Sequence, residues 1–181
     1  MLANAGIPVE AVPADIDERA IEAAARPRNP RAAAALLAKT KAEAIAKRLP
    51  GRVVLGADQV LALGSKRFSK PVDRDGARAQ LSELRGKAHE LHSAVALLRD
   101  GEVIFEFVGV ARLAMRTFSE AFLDSYLEAA GASVTQSVGG YQLENFGAHL
   151  FERIEGDHFS ILGLPLLPLL GSMRNAGLLA R

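Results

Sequence analysis

Asp58 and Lys70 are the residues whose setting in the sequence best suits chemistry. Asp58 follows the apolar run Val53-Val54-Leu55-Gly56-Ala57 within the stretch Val53 to Leu61, which reads as a buried strand that delivers a carboxylate towards its end. Twelve positions later, Ser69-Lys70-Pro71 presents a lysine held extended by the proline after it. A carboxylate and an ammonium at neighbouring strand ends suit a site for a divalent metal and phosphates. The carboxylate offers hard oxygen to the ion, and the ammonium neutralises phosphate charge.

Other chemistries are disfavoured. The chain has no cysteine, which removes disulfides, thiolate metal sites and cysteine nucleophiles and is compatible with the cytoplasm. The four histidines make no metal cluster: His89 and His92 fall on opposite faces of one expected strand. No Gly-x-Ser-x-Gly and no Walker lysine motif occurs, against a serine hydrolase or a P-loop enzyme. A net charge of +1 argues against broad nucleic-acid binding. No apolar run has the length of a membrane span, and no signal-peptide pattern opens the chain.

The elements that must position Asp58 and Lys70 follow from periodicity and punctuation. The 181 residues, 49% of them hydrophobic, suffice for one domain over 1-181 or two joined lobes around a cleft. Leu2 to Gly6 reads as the end of a helix, with Gly6 as its cap. Ile7 to Val12 is a strand candidate, and Asp15 to Glu18 a polar turn. Asn29-Pro30 opens an alanine-rich helix to Leu49, which Pro50-Gly51 ends. A helix is expected over Asp73 to Leu84. Glu90 to Arg99 and Glu102 to Met115 form a hairpin about Asp100-Gly101. Ser119 caps a helix to about Ala130. His149 to Ile154 is a further strand, and a last helix begins within Gly163 to Gly171. Helices alternating with strands, plus one hairpin, predict an α/β fold: a mixed, twisted sheet with flanking helices.

Several segments, read in order, resemble the Maf family of nucleotide pyrophosphatases. They are Leu2 to Pro8, Asp17-Glu18, Leu37 to Ala42, Gly56-Ala-Asp-Gln-Val60, Lys70-Pro71, Leu84 to His89, Gly139-Gly-Tyr141, Glu155-Gly-Asp157 and Gly163-Leu-Pro165. Each is weak alone; their colinearity over nearly the whole chain carries the resemblance. It implies a fold related to the inosine-triphosphate pyrophosphatases, with a central cleft. It also implies hydrolysis of a nucleoside triphosphate, standard or modified, to the monophosphate and pyrophosphate with Mg²⁺ or Mn²⁺. The family's opening strand and Ser-x-Ser-x-Arg-Arg phosphate loop have no counterpart here, and the chain starts just after them. The stretch upstream of Met1 is expected to encode both. Gln59 stands where the family usually has threonine, Ser137 where it often has lysine, and Glu144 where it often has glutamine.

The resemblance assigns roles. Asp58 becomes the catalytic carboxylate and a metal ligand, with Glu18 as second metal ligand; on chemistry alone Asp15 and Asp17 serve as well as Glu18. Lys41 and Lys70 become phosphate ligands, although Lys41 shares its helix with Lys39 and Lys47. Glu144 becomes a base or metal contact, since a guanine edge offers N–H donors that a carboxylate accepts. It resembles the branch that prefers nucleotides such as 7-methyl-GTP. The apolar stretch Gly163 to Leu170 is core or a homodimer face. The competing reading is a nucleotide-binding regulator of cell division with little turnover. Glu144→Gln is expected to reorder the preference among triphosphate bases more than it slows the best substrate. Pyrophosphate release over a panel of triphosphates checks this, and an unchanged ranking removes Glu144 from base recognition.

Overall fold

The computed structural model describes residues 1–180, and eleven helices and strands organise them. In order they are α1 (Glu18–Ala25), α2 (Pro30–Arg48), β1 (Val53–Leu63), β2 (Lys66–Phe68), α3 (Arg74–Leu84), β3 (Ala88–Arg99), β4 (Glu102–Met115), α4 (Glu120–Ala130), β5 (Phe151–Glu155), α5 (His158–Ile161) and α6 (Leu166–Asn175). Short 3₁₀ turns fill the segments at Ala3–Ala5 and between α4 and β5. The strands form a five-stranded sheet in the order β2-β1-β3-β4-β5. The β1–β2 and β4–β5 pairings are antiparallel. The expected α/β fold with flanking helices is what the chain adopts.

The start signals act as read. Asn29 accepts a hydrogen bond from the Ala32 amide at 2.8 Å, with Pro30 in the first turn of α2. Asp73 and Ser119 cap α3 and α4 in the same way. Gly6 closes the opening 3₁₀ turn with a positive φ. Two readings need correction. Ile7 to Val12 is not a strand, because Pro8 within it and Pro13 just after it remove backbone donors a ladder needs. Asp58 is not at a strand end, since β1 runs on to Leu63 and pairs there with β2, which sequence reading missed.

Two compact units make up the chain. The first contains residues 1–59, 92–109 and 157–181 by sequence range, and the second 60–91 and 110–156. In the first unit, period-two alternation sends side chains to two opposite cores. Val54, Ala96 and Leu98 pack with Ala42 and Ile45 of α2. Leu55, Val95 and Leu97 pack with Leu164, Leu166 and Leu169 at α6. Strand pieces are thus covered by helices on both faces, which explains the continuous apolar run in β3. The second unit packs α3 and α4 together, with Leu81, Leu84, Leu123 and Leu127 fully buried.

Gly56 marks the closest approach of α2 to β1. A Cβ there would lie 2.8 Å from the Ala42 amide nitrogen and would overlap the Ala38 carbonyl oxygen. Neither neighbour is a flexible side chain, so the helix itself would have to move. Gly56→Ala is expected to destabilise the fold by about 3 kcal/mol, the upper end for overpacking. Urea unfolding of the variant against the unaltered chain measures it.

Candidate active site

Alternation along β1 decides what each residue of Gly56-Ala-Asp-Gln-Val60 faces. Val54, Gly56 and Asp58 share the α2 face, and Asp58 meets Lys41 there. The Lys41 ammonium donates to Asp58 Oδ1 at 2.6 Å and lies 2.7 Å from Glu18 Oε1. The structure therefore brings together three of the residues singled out by sequence. The Asp58 side chain is 10% exposed, that of Lys41 24% and that of Glu18 49%, so the cluster grades from buried to open. A cavity of about 310 Å³ opens beside it, lined in part by Asp15, Glu18, Lys41, Gly56 and Ala57.

The three early acids differ in what each one contacts. Asp17 caps α1, accepting from the Ala20 amide at 3.0 Å. Asp15 lies 3.9 Å from Arg48, in an exposed pair. Glu18, the first residue of α1, is the one that reaches Lys41. Burial raises the Asp58 carboxyl above its ordinary range; Lys41 opposes that rise, and the charges of Glu18 and Glu22 add to it. Burial lowers the Lys41 ammonium, but its bonds to Asp58 and Glu18 outweigh burial and leave it raised. The two directions agree physically. One ammonium among several carboxylates is held charged, while a buried carboxylate with like-charged neighbours is held less readily. The cluster carries surplus negative charge.

Among the described residues no group of three or more His, Cys, Asp or Glu could hold a metal by protein donors alone. Asp58 and Glu18 supply two carboxylates. That donor set fits Mg²⁺ or Mn²⁺, which accept one or two carboxylates when phosphate and water oxygens complete the shell.

Gln59 points the other way. Its Nε2 donates to Ser93 Oγ at 2.9 Å and to the Ile161 carbonyl at 3.0 Å, and Ser93 Oγ donates to the Ser160 carbonyl at 2.6 Å. The departure from threonine thus ties β1 to β3 and α5 on the face opposite Asp58.

Lys70 and Glu144 belong to the second unit, where both are exposed. Gln80 of α3, which sequence reading missed, holds the backbone near each. Its Nε2 donates to the Ser69 carbonyl at 2.9 Å, and its Oε1 accepts from the Gly139 amide at 3.1 Å. A mid-helix glutamine carries no sequence signal for this. Gly139 and Gly140 both take positive φ, and a Cβ on Gly140 would lie 3.3 Å from Ala77 of α3. Tyr141 is buried and shares a 2.6 Å hydrogen bond with His89 Nε2. The Gly-Gly-Tyr motif therefore shapes the backbone leading to Glu144.

The family sequence model described as Maf-like protein matches residues 1–176. This chain belongs to the Maf family. Among its relatives is a protein of Rhodopseudomonas palustris (strain BisB18) named nucleoside triphosphate pyrophosphatase, 56% identical over 180 residues, spanning 99% of this chain and 89% of the relative. A Bradyrhizobium diazoefficiens protein of the same name is 58% identical with the same coverage. A Mesorhizobium japonicum protein named 7-methyl-GTP pyrophosphatase is 50% identical, over 98% of this chain and 90% of its own length. Six of the nine Maf segments quoted from the sequence thus fall on the Asp58–Lys41–Glu18 cluster, the Gln80-held loops and the buried His89–Tyr141 pair.

Burial lowers the His89 imidazole from 6.5 to about 4 and keeps it neutral. Its Nδ1 has no hydrogen-bond partner. With the folded value depressed, the stability it carries is present above pH 6.5 and is lost as pH falls towards about 4. The shift corresponds to about 3 kcal/mol at most. Urea unfolding at pH 7 and near pH 4 is expected to show that loss in the unaltered chain and a smaller one in His89→Gln.

Proposed function

We infer that this chain is a nucleoside triphosphate pyrophosphatase that converts its substrate to the nucleoside monophosphate and pyrophosphate. The observation that carries the reading is the cluster in which Lys41 joins Asp58 and Glu18 beside a cavity, in a chain more than half identical to pyrophosphatases. The reaction breaks the α–β anhydride bond with water as nucleophile. Asp58 accepts the hydrogen bond that orients that water, and its raised carboxyl makes it a better proton acceptor than an ordinary aspartate. Asp58 and Glu18 would hold the divalent ion, which supplies charge neutralisation at the phosphates when bound. Lys41 and Lys70 serve as cationic phosphate contacts, and Glu144 reads the base edge. The relative named 7-methyl-GTP pyrophosphatase supports a guanine-type, modified substrate. Among the described residues no helix is long and apolar enough to cross a membrane. Cytoplasmic residence and a homodimer complete the proposal.

Asp58→Asn tests the assignment directly. Turnover is expected to fall by about 10² to 10³, the usual loss for one essential electrostatic group, with little change in Tm. Steady-state pyrophosphate release and thermal unfolding measure the two. Activity above about a tenth of the original would remove Asp58 from the chemistry.

A further inference from the structure

We propose that the Lys41 ammonium is a resident placeholder for the divalent cation: it occupies the position between Asp58 and Glu18 in the free protein, and the arriving ion displaces it. The inference rests on the reading of Asp58 and Glu18 as the metal-holding carboxylates, and it concerns what this chain does before substrate arrives.

Geometry carries it. Lys41 Nζ lies 2.6 Å from one carboxylate and 2.7 Å from the other, both direct contacts. Mg²⁺ binds carboxylate oxygens at about 2.0–2.1 Å and would crowd an ammonium that engages the same two groups. Two cations in so small a space, with Asp58 only 10% exposed, repel with little screening from water. The charge count points the same way. Two carboxylates and one ammonium leave one negative charge, whereas two carboxylates and a divalent ion leave none. The displaced ammonium is on a flexible four-carbon stem and partly exposed, so it can turn to another anion. Lys41 also lines the neighbouring cavity, so the anion it would meet there is a substrate phosphate. One side chain thereby serves twice: it stabilises the empty carboxylates, and it becomes a phosphate contact only once the ion is in place.

The alternative is a fixed strut, in which Lys41 stays on both carboxylates throughout. Mn²⁺ alone, with no nucleotide, separates the two. Binding is followed by the loss of the free-ion paramagnetic resonance signal. Lys41→Met keeps the length of the side chain and removes its charge. It is expected to bind Mn²⁺ at least about tenfold more tightly than the unaltered chain, since removal of a close opposite charge shifts a carboxylate's cation affinity by that order. The gain is expected to vanish in Lys41→Met combined with Asp58→Asn. Equal or weaker binding by folded Lys41→Met overturns the proposal. A second measurement needs no variant. Acetylation of Lys41 by an amine-reactive reagent, followed by peptide mass spectrometry, is expected to accelerate several-fold when Mn²⁺ is added. An unchanged or slower rate overturns the proposal. Pyrophosphate release by the unaltered chain with Mg²⁺ is read separately: if release persists while both tests fail, only the displacement is wrong, and if release is absent, the functional reading falls.

Discussion

Lys41 can reach Asp58 because α2 lies directly against β1, with no side chain between the two backbones at Gly56. That close approach is the constraint on which the candidate site depends. It needs small residues on both elements: Gly56 on the strand, and Ala38 and Ala42 on the helix, all buried. A larger residue at any of these positions would lift the helix and draw the ammonium away from the carboxylate. The alanine richness of α2, which reads at first as helix propensity alone, is also a packing requirement.

Given that approach, the pleat of β1 distributes the rest. Consecutive residues face opposite ways, so Asp58 goes to the helix side while Gln59 goes to α5. The ion pair with Lys41 and the anchoring of the strand are thereby separated by a single residue step. Gln59 and Ser93 bond to backbone carbonyls at Ser160 and Ile161 and fix β1 from behind. Asp58 is left to the ion pair and the cavity. A one-residue slip of β1 would exchange these roles and bury the carboxylate against the wrong layer.

The second unit repeats this economy with different means. Gln80 holds two loops by their backbones, one through an acceptor and one through a donor. Lys70 and Glu144 follow from those loops and are free to remain exposed. Behind them, the buried His89–Tyr141 hydrogen bond stays neutral, since burial lowers the imidazole and raises the phenol. A buried polar pair of this kind adds orientation at no cost in buried charge.

Local signals were enough for much of this. The caps Asn29, Asp73 and Ser119, the Asp100-Gly101 hairpin and the apolar runs of β1 and β3 act through neighbours a few residues away, so the sequence carries them openly. The same holds for Asp58 as a carboxylate after an apolar run, and for the colinear segments that resemble the Maf family. The strand expected at Ile7 to Val12 failed because apolar character alone does not supply a partner, and Pro8 within it and Pro13 after it withheld donors. Pairing with β2 carries β1 on to Leu63, a contact between strands that no single run announces. Glu18 rather than Asp15 or Asp17 meets Lys41 because of where α1 begins and how it lies on α2. What Gln59 and Gln80 hold was invisible for the same reason. Their partners lie far along the chain, and only folding brings those carbonyls and amides within hydrogen-bonding distance.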